Sequence, residues 1–104
     1  MIVDRSWSSQ LRRNYGLTPV EYNKLLVGQN NSCAICGKPP YKVRLSVDHS
    51  HISNKVRGLL CFHCNTILGH AYDDIKILSN AVKYLEKYYD PDWDVDLFIE
   101  RINA

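Results

Sequence analysis

Four cysteines in two pairs constrain this chain more than any other feature. Cys33 and Cys36 form one C-x-x-C, Cys61 and Cys64 form another, and 24 residues separate the pairs. A two-residue gap lets both thiolates of a pair reach one ion, and two pairs supply the four ligands of a closed tetrahedral zinc site. The separation slightly exceeds that of a common zinc ribbon, which leaves room for a hairpin between the pairs. With no fifth cysteine, structural zinc is favoured over a redox pair or buried free thiols. A chain of 104 residues is most simply one domain, whose small core gains from such a staple. By analogy with zinc-finger peptides, binding would contribute about 10–16 kcal/mol at neutral pH. His63 reads as an exposed residue of the second knuckle and His70 as a surface residue or neighbour of the site at a helix end, not as ligands.

The net charge of +2 conceals an asymmetry. Residues 1–70 carry nine Lys/Arg against Asp4, Glu21 and Asp48, whereas residues 71–104 carry four basic and eight acidic side chains. Such a distribution fits a nucleic-acid footprint on the first part, and fits an ordinary solvated surface equally well. No apolar run approaches the roughly 18–20 residues of a membrane span. Residues 1–7 lack the charged and apolar regions of a signal peptide. The expectation is a cytoplasmic protein with no membrane partner.

Local signals predict an α+β chain. Residues 1–16 are polar and basic and read as either a flexible arm or a short helix. Thr18, Pro19 and Glu21 predict a capped helix over 19–27 that stops at Gly28, with Tyr22, Leu25 and Leu26 on one face. Alternating apolar residues predict a strand over 43–47, a turn at Ser53-Asn54-Lys55 and a second strand over 56–60. A short helix is expected after Cys61, with Asn65 in its first turn. Two more follow, over 74–89 and 94–102, the last expected to bury Val95, Phe98, Ile99 and Ile102. The corresponding organisation is an arm over 1–16, a metal-bound core over 17–72 and a helical segment over 73–104 that packs on the core or dimerises.

Between the cysteine pairs stands Asp48-His49, and Asn65 follows the last cysteine. Phosphodiester hydrolysis needs an activated water, charge neutralisation at phosphate and help for the leaving oxygen. Hard cations such as Mg²⁺ prefer oxygen ligands and few protein groups. Asp48 and Asn65 are candidate ligands of that kind, and His49, whose ordinary pKa lies near neutrality, is a candidate general base. His51 is a candidate for contacting phosphate or orienting a neighbour, and Lys55 and Arg57 for holding the DNA backbone. One geometric condition applies. Neighbours in an ideal strand face opposite sides, so Asp48 and His49 serve one site only if the strand ends or bulges there.

At these residues the sequence resembles the recombination endonuclease VII family of bacteriophages, within the HNH or ββα-metal nucleases. The matching segments are Tyr15-Gly16-Leu17-Thr18, Cys33-Ala34-Ile35-Cys36-Gly37, Val47-Asp48-His49-Ser50-His51 and the run from Val56 to Asn65. The resemblance implies a zinc-stapled, treble-clef-like ββα-metal core with flanking helices. It implies Asp48 and Asn65 as ligands of one Mg²⁺ or Mn²⁺, His49 as general base, His51 as an additional active-site histidine and the four cysteines as zinc ligands. It also implies a DNA substrate, duplex or branched as in Holliday junctions, a homodimer, and the host cytoplasm if the chain is of phage origin. Two alternatives stand beside this: a monomeric nickase or a homing or packaging-associated nuclease, and a non-catalytic zinc module that binds DNA or protein.

Overall fold

Thr18 and Glu21 close the capping box that the sequence announces. Thr18 Oγ1 accepts the Glu21 N–H at 3.2 Å, and Glu21 Oε1 accepts the Thr18 N–H at 3.1 Å. In the computed structural model, which describes residues 5–103, this box opens helix α2, Pro19–Gly28. A helix α1, Arg5–Tyr15, precedes it, so the basic N-terminal stretch is helical from Arg5, while residues 1–4 lie outside the described residues. Helix α2 does not end by a left-handed Gly28. Gln29 is its C-cap, and Asn30 and Asn31 take the positive φ values, 57° and 56°. Asparagine tolerates this conformation better than other residues with a side chain, which frees Gly28 from the task.

Strands β1, Ser46–His49, and β2, Val56–Leu60, form an antiparallel hairpin, and α3, Phe62–His70, follows directly. The first strand starts later than the alternation predicts. Lys42 has φ 67°, and the Val43 N–H donates to Tyr41 O at 2.8 Å, so the chain turns tightly where the strand was expected to begin. Val43 is consequently exposed, whereas Leu45 and Val47 are buried.

The core gathers Leu11, Tyr22, Leu45, Val47, Leu59 and Leu60 with two of the cysteines, Cys33 and Cys64. Helix α1 contributes more than an arm would. Leu11 is buried, and the Trp7 ring meets Tyr22 edge-on at 5.1 Å with the Arg44 guanidinium 4.0 Å above it. The Tyr22 hydroxyl donates to Leu45 O at 2.6 Å, so burial of the ring leaves no polar orphan, and burial raises its pKa against the pull of Arg44.

Gln29 completes the sheet. On the side of β2 away from β1, its side-chain oxygen accepts the Leu59 N–H at 2.9 Å and its NH₂ donates to Leu59 O at 2.9 Å. An amide side chain thereby stands where a third strand would pair. Gly58 makes the approach feasible, because a Cβ there would lie 3.1 Å from Gln29 Oε1. We expect Gln29→Ala to strip the Leu59 N–H of its partner and to destabilise the zinc-loaded protein by about 1–3 kcal/mol, measurable by thermal or urea denaturation.

The chain divides into two compact units, one ending at His70 and the other beginning at Ala71. The second unit holds α4, Ile75–Lys87, capped by Asp74, and α5, Val95–Asn103, whose first turn is capped by Asp94. Its apolar residues are not buried as the periodicity suggests. Val95, Phe98 and Ile102 of α5, and Ile75, Val82 and Leu85 of α4, are all exposed, with Ile99 intermediate. Two short helices offer too little chain to enclose a core of their own. No helix among the described residues is long and apolar enough to cross a membrane.

Candidate metal centre and active site

The two C-x-x-C turns converge. All four cysteine sulfurs lie within 4.8 Å of one another, and Cys36 Sγ and Cys61 Sγ are 3.8 Å apart. Four sulfurs at about 2.3 Å from a tetrahedral zinc stand about 3.8 Å from each other, so these thiols are arranged to hold a metal ion of that kind. Each turn aims an amide at its first sulfur: Ile35 N–H at Cys33 Sγ, 3.5 Å, and Cys64 N–H at Cys61 Sγ, 3.4 Å. Gly37, with φ 74°, folds the first turn back so that its N–H donates to Cys33 O at 3.0 Å.

Three of the thiols are shifted in opposite directions by their surroundings. Burial opposes ionisation of Cys33, but hydrogen bonds from the Cys61, Cys36 and Ile35 backbone and from the Cys36 thiol bring it down to about 6. Cys36 and Cys64 shift upwards, first through burial and, for Cys64, next through the neighbouring thiols. A doubly charged ion bound here would favour the thiolate form of its ligands. His63 is exposed beside the second turn, with its ring 5.8 Å from that of Phe62, and His70 is exposed at the end of α3.

The second cluster sits at the end of the hairpin. Along the ladder Asp48 faces Gly58 but His49 faces Val56, so Arg57 is an extra residue opposite the Asp48-His49 step. The extra residue belongs to β2, so it is β2 that bends there, while β1 ends at His49. Asp48 is only 9% exposed. Its carboxylate accepts two hydrogen bonds from Arg57, Nε to Oδ2 at 2.7 Å and Nη2 to Oδ1 at 2.9 Å. The His49 ring is half-buried between Tyr15, 5.5 Å away, and His51, 5.2 Å away.

Beyond His49 the chain closes a short loop. Ser50 N–H donates to Lys55 O at 2.9 Å, and Ser50 Oγ accepts the Ile52 and Ser53 amides at 3.2 Å each. His51 and Lys55 are exposed on this loop. Asn65 is exposed in the first turn of α3, where its N–H donates to Cys61 O at 3.0 Å. Helix α3 packs against both strands, and its first turn carries Cys64 next to Asn65, so the cysteine cluster fixes where Asn65 stands.

Two contacts at the site are not legible in the sequence. Tyr15 belongs to a segment that reads as either a flexible arm or a short helix, and its ring flanks His49. Arg57 reads as a phosphate contact, yet here it holds Asp48. Tyr15 opens one of the segments that carry the family resemblance, but nothing local pairs it with His49; for Arg57 the adjacent Gly58 is the hint, because glycine within a strand often marks a bulge.

Comparison with known proteins finds relatives by sequence. The family model of recombination endonuclease VII matches residues 8–87. The Gene 59 protein of Mycobacterium phage D29 is 45% identical over 84 residues, covering 79% of this chain and 51% of that protein. The Gene 59 protein of Mycobacterium phage L5 is 43% identical over 82 residues, covering 77% of this chain and 50% of that protein. The chain thus spans about half the length of the curated relatives it matches. No solved structure matches it significantly.

Proposed function

This chain belongs to the recombination endonuclease VII family, and on that premise we propose that it is a divalent-metal-dependent endonuclease that hydrolyses DNA phosphodiesters by HNH-type chemistry. The observation that supports this reading is the occurrence, at the end of a hairpin followed by a helix, of a shielded carboxylate, Asp48, and the next residue's ring-flanked imidazole, His49.

The donor set fits a hard cation. Asp48 offers carboxylate oxygens and Asn65 an amide oxygen, the ligand types that Mg²⁺ and Mn²⁺ favour. A cation bound there would neutralise charge on the phosphate and on the leaving oxygen. His49 takes the proton of the attacking water at an imidazole nitrogen, with the Tyr15 and His51 rings restricting its orientation. His51 and Lys55, exposed beside it, face the DNA backbone in this reading. The cysteine cluster holds a structural zinc and takes no part in the chemistry. The basic first unit supports DNA as the partner. The exposed apolar faces of α4 and α5 support self-association, which would present two sites to a branched substrate. Phage relatives support the host cytoplasm as the place of action.

The test is incubation of supercoiled plasmid and a synthetic four-way junction with the zinc-loaded chain, with and without Mg²⁺, beside His49→Ala. Cutting should need Mg²⁺, and His49→Ala should slow it by about 10²–10⁴-fold, the usual worth of general-base catalysis. Equal rates for both chains would overturn the assignment of His49. Preference for the junction, with a dimer's mass in solution, would extend the reading to branched DNA; equal cutting of plasmid by a monomer would restrict it to nicking.

A further inference from the structure

Arg57 grips Asp48 with both arms of its guanidinium fork, at 2.7 and 2.9 Å. Among the described residues, Asp48 is the one buried carboxylate. We propose that Arg57 is a positioning residue that exchanges partners, holding Asp48 until a divalent cation takes that carboxylate and then transferring its fork to a DNA phosphate. Metal loading and DNA binding thereby favour each other. This inference rests on the assignment of Asp48 to the divalent cation.

Electrostatics support the exchange. A carboxylate at 9% exposure is costly to leave without a counter-charge, and the guanidinium supplies one. A dication would neutralise the same oxygens. A dication and a guanidinium on one carboxylate would then repel each other across a few ångströms, so each weakens the other's hold.

Position supports it too. Arg57 is the residue that the ladder skips, since Asp48 faces Gly58 and His49 faces Val56. Its side chain is 40% exposed against 11% for that of Asp48, so the guanidinium reaches the surface where a strand would pass and the carboxylate does not. The chemistry of the fork completes the case. Planar guanidinium matches two phosphate oxygens as well as it matches two carboxylate oxygens, which an ammonium does not. A phosphate arriving at the site therefore offers Arg57 an equivalent partner at the moment Asp48 is needed elsewhere.

Linkage makes the proposal measurable without reading activity. If DNA draws Arg57 from Asp48, DNA tightens metal binding, and the metal must tighten DNA binding by the same factor. The experiment titrates Mn²⁺ into the zinc-loaded full chain, by calorimetry or electron paramagnetic resonance, with and without a DNA duplex. A His49→Ala background in every arm keeps the DNA intact. With Arg57 present, duplex should tighten Mn²⁺ binding by roughly 5–150-fold, the usual span of coupling between two sites. Arg57→Gln should bind Mn²⁺ more tightly than its parent without DNA and gain little more when DNA is added. Arg57→Lys, which keeps the charge and loses the fork, should move in the same direction by a smaller factor. Zinc content and melting temperature report whether each variant is folded. Equal Mn²⁺ affinity of all three chains without DNA, together with loss of binding in Asp48→Asn, would overturn the exchange and leave the metal assignment standing. Mn²⁺ binding indifferent to Asp48→Asn would remove the metal assignment itself, and the exchange with it.

Discussion

Asp48→Ala is expected to reduce Mg²⁺-dependent DNA cleavage by about 10³-fold or more, with zinc content unchanged. A divalent ion at a phosphodiester contributes several kcal/mol of transition-state charge stabilisation, and each 1.4 kcal/mol or so is a factor of ten in rate. Asp48 is the charged member of the proposed ligand pair, so its loss weakens the ion's hold far more than loss of a neutral amide would. The fold should tolerate the change. The Asp48 carboxylate accepts two hydrogen bonds from Arg57, whose side chain is 40% exposed and can be solvated once released. Asp48→Asn, of nearly equal volume, separates charge from packing and should be almost as inactive. Gel assays of plasmid nicking, run beside metal analysis and a melting curve, decide the matter. An Asp48→Ala chain that cuts at the parent's rate would leave only a zinc module that binds without catalysis.

Removal of the ion in the cysteine cluster should unfold the first unit altogether. Cys33 and Cys64 are members of the core, packed with Leu45, Val47, Leu59 and Leu60, so the ligands and the apolar residues are the same body of atoms. A structural zinc contributes about 10–16 kcal/mol in zinc-finger peptides, as much as the whole of a small domain's stability of about 5–15 kcal/mol. Far-UV circular dichroism should collapse on adding a strong chelator and recover on adding zinc, and Cys64→Ala should behave like the chelated protein. DNA cleavage should disappear in parallel, because Asn65 follows Cys64 in the first turn of α3 and loses its position with it. A chelated chain that keeps its cooperative melting transition would show that the core stands without the metal.

Local rules carried far along this sequence. The capping box at Thr18 and Glu21, the turn at Gly37, the second strand at Val56–Leu60 and the Asp74 cap all form where short-range chemistry places them. The caps and the turn depend on residues two to four apart, so neighbours alone decide them, while β2 follows its own alternation and takes its partner from β1. The expectations that shifted depend on more. The β1 strand starts at Ser46 because Lys42 takes a left-handed turn. The apolar faces of α4 and α5 are exposed because periodicity marks a face that wants cover without supplying the cover.

Fixed spacing in the chain was enough to name the four thiols: a two-residue gap within each pair dictates the bite on an ion, and the fold then brings the two pairs together. The proposed catalytic residues were nameable for the same reason, as oxygen and imidazole donors set between those pairs. Only the tertiary structure decided how they are held. Tyr15 beside His49, Gln29 along the open edge of β2 and Arg57 on Asp48 are contacts between residues distant in order. The last turns on a single skipped position in the ladder, and one residue of register reverses the face a strand side chain presents, a choice made by packing across the sheet and not by any neighbour in the chain.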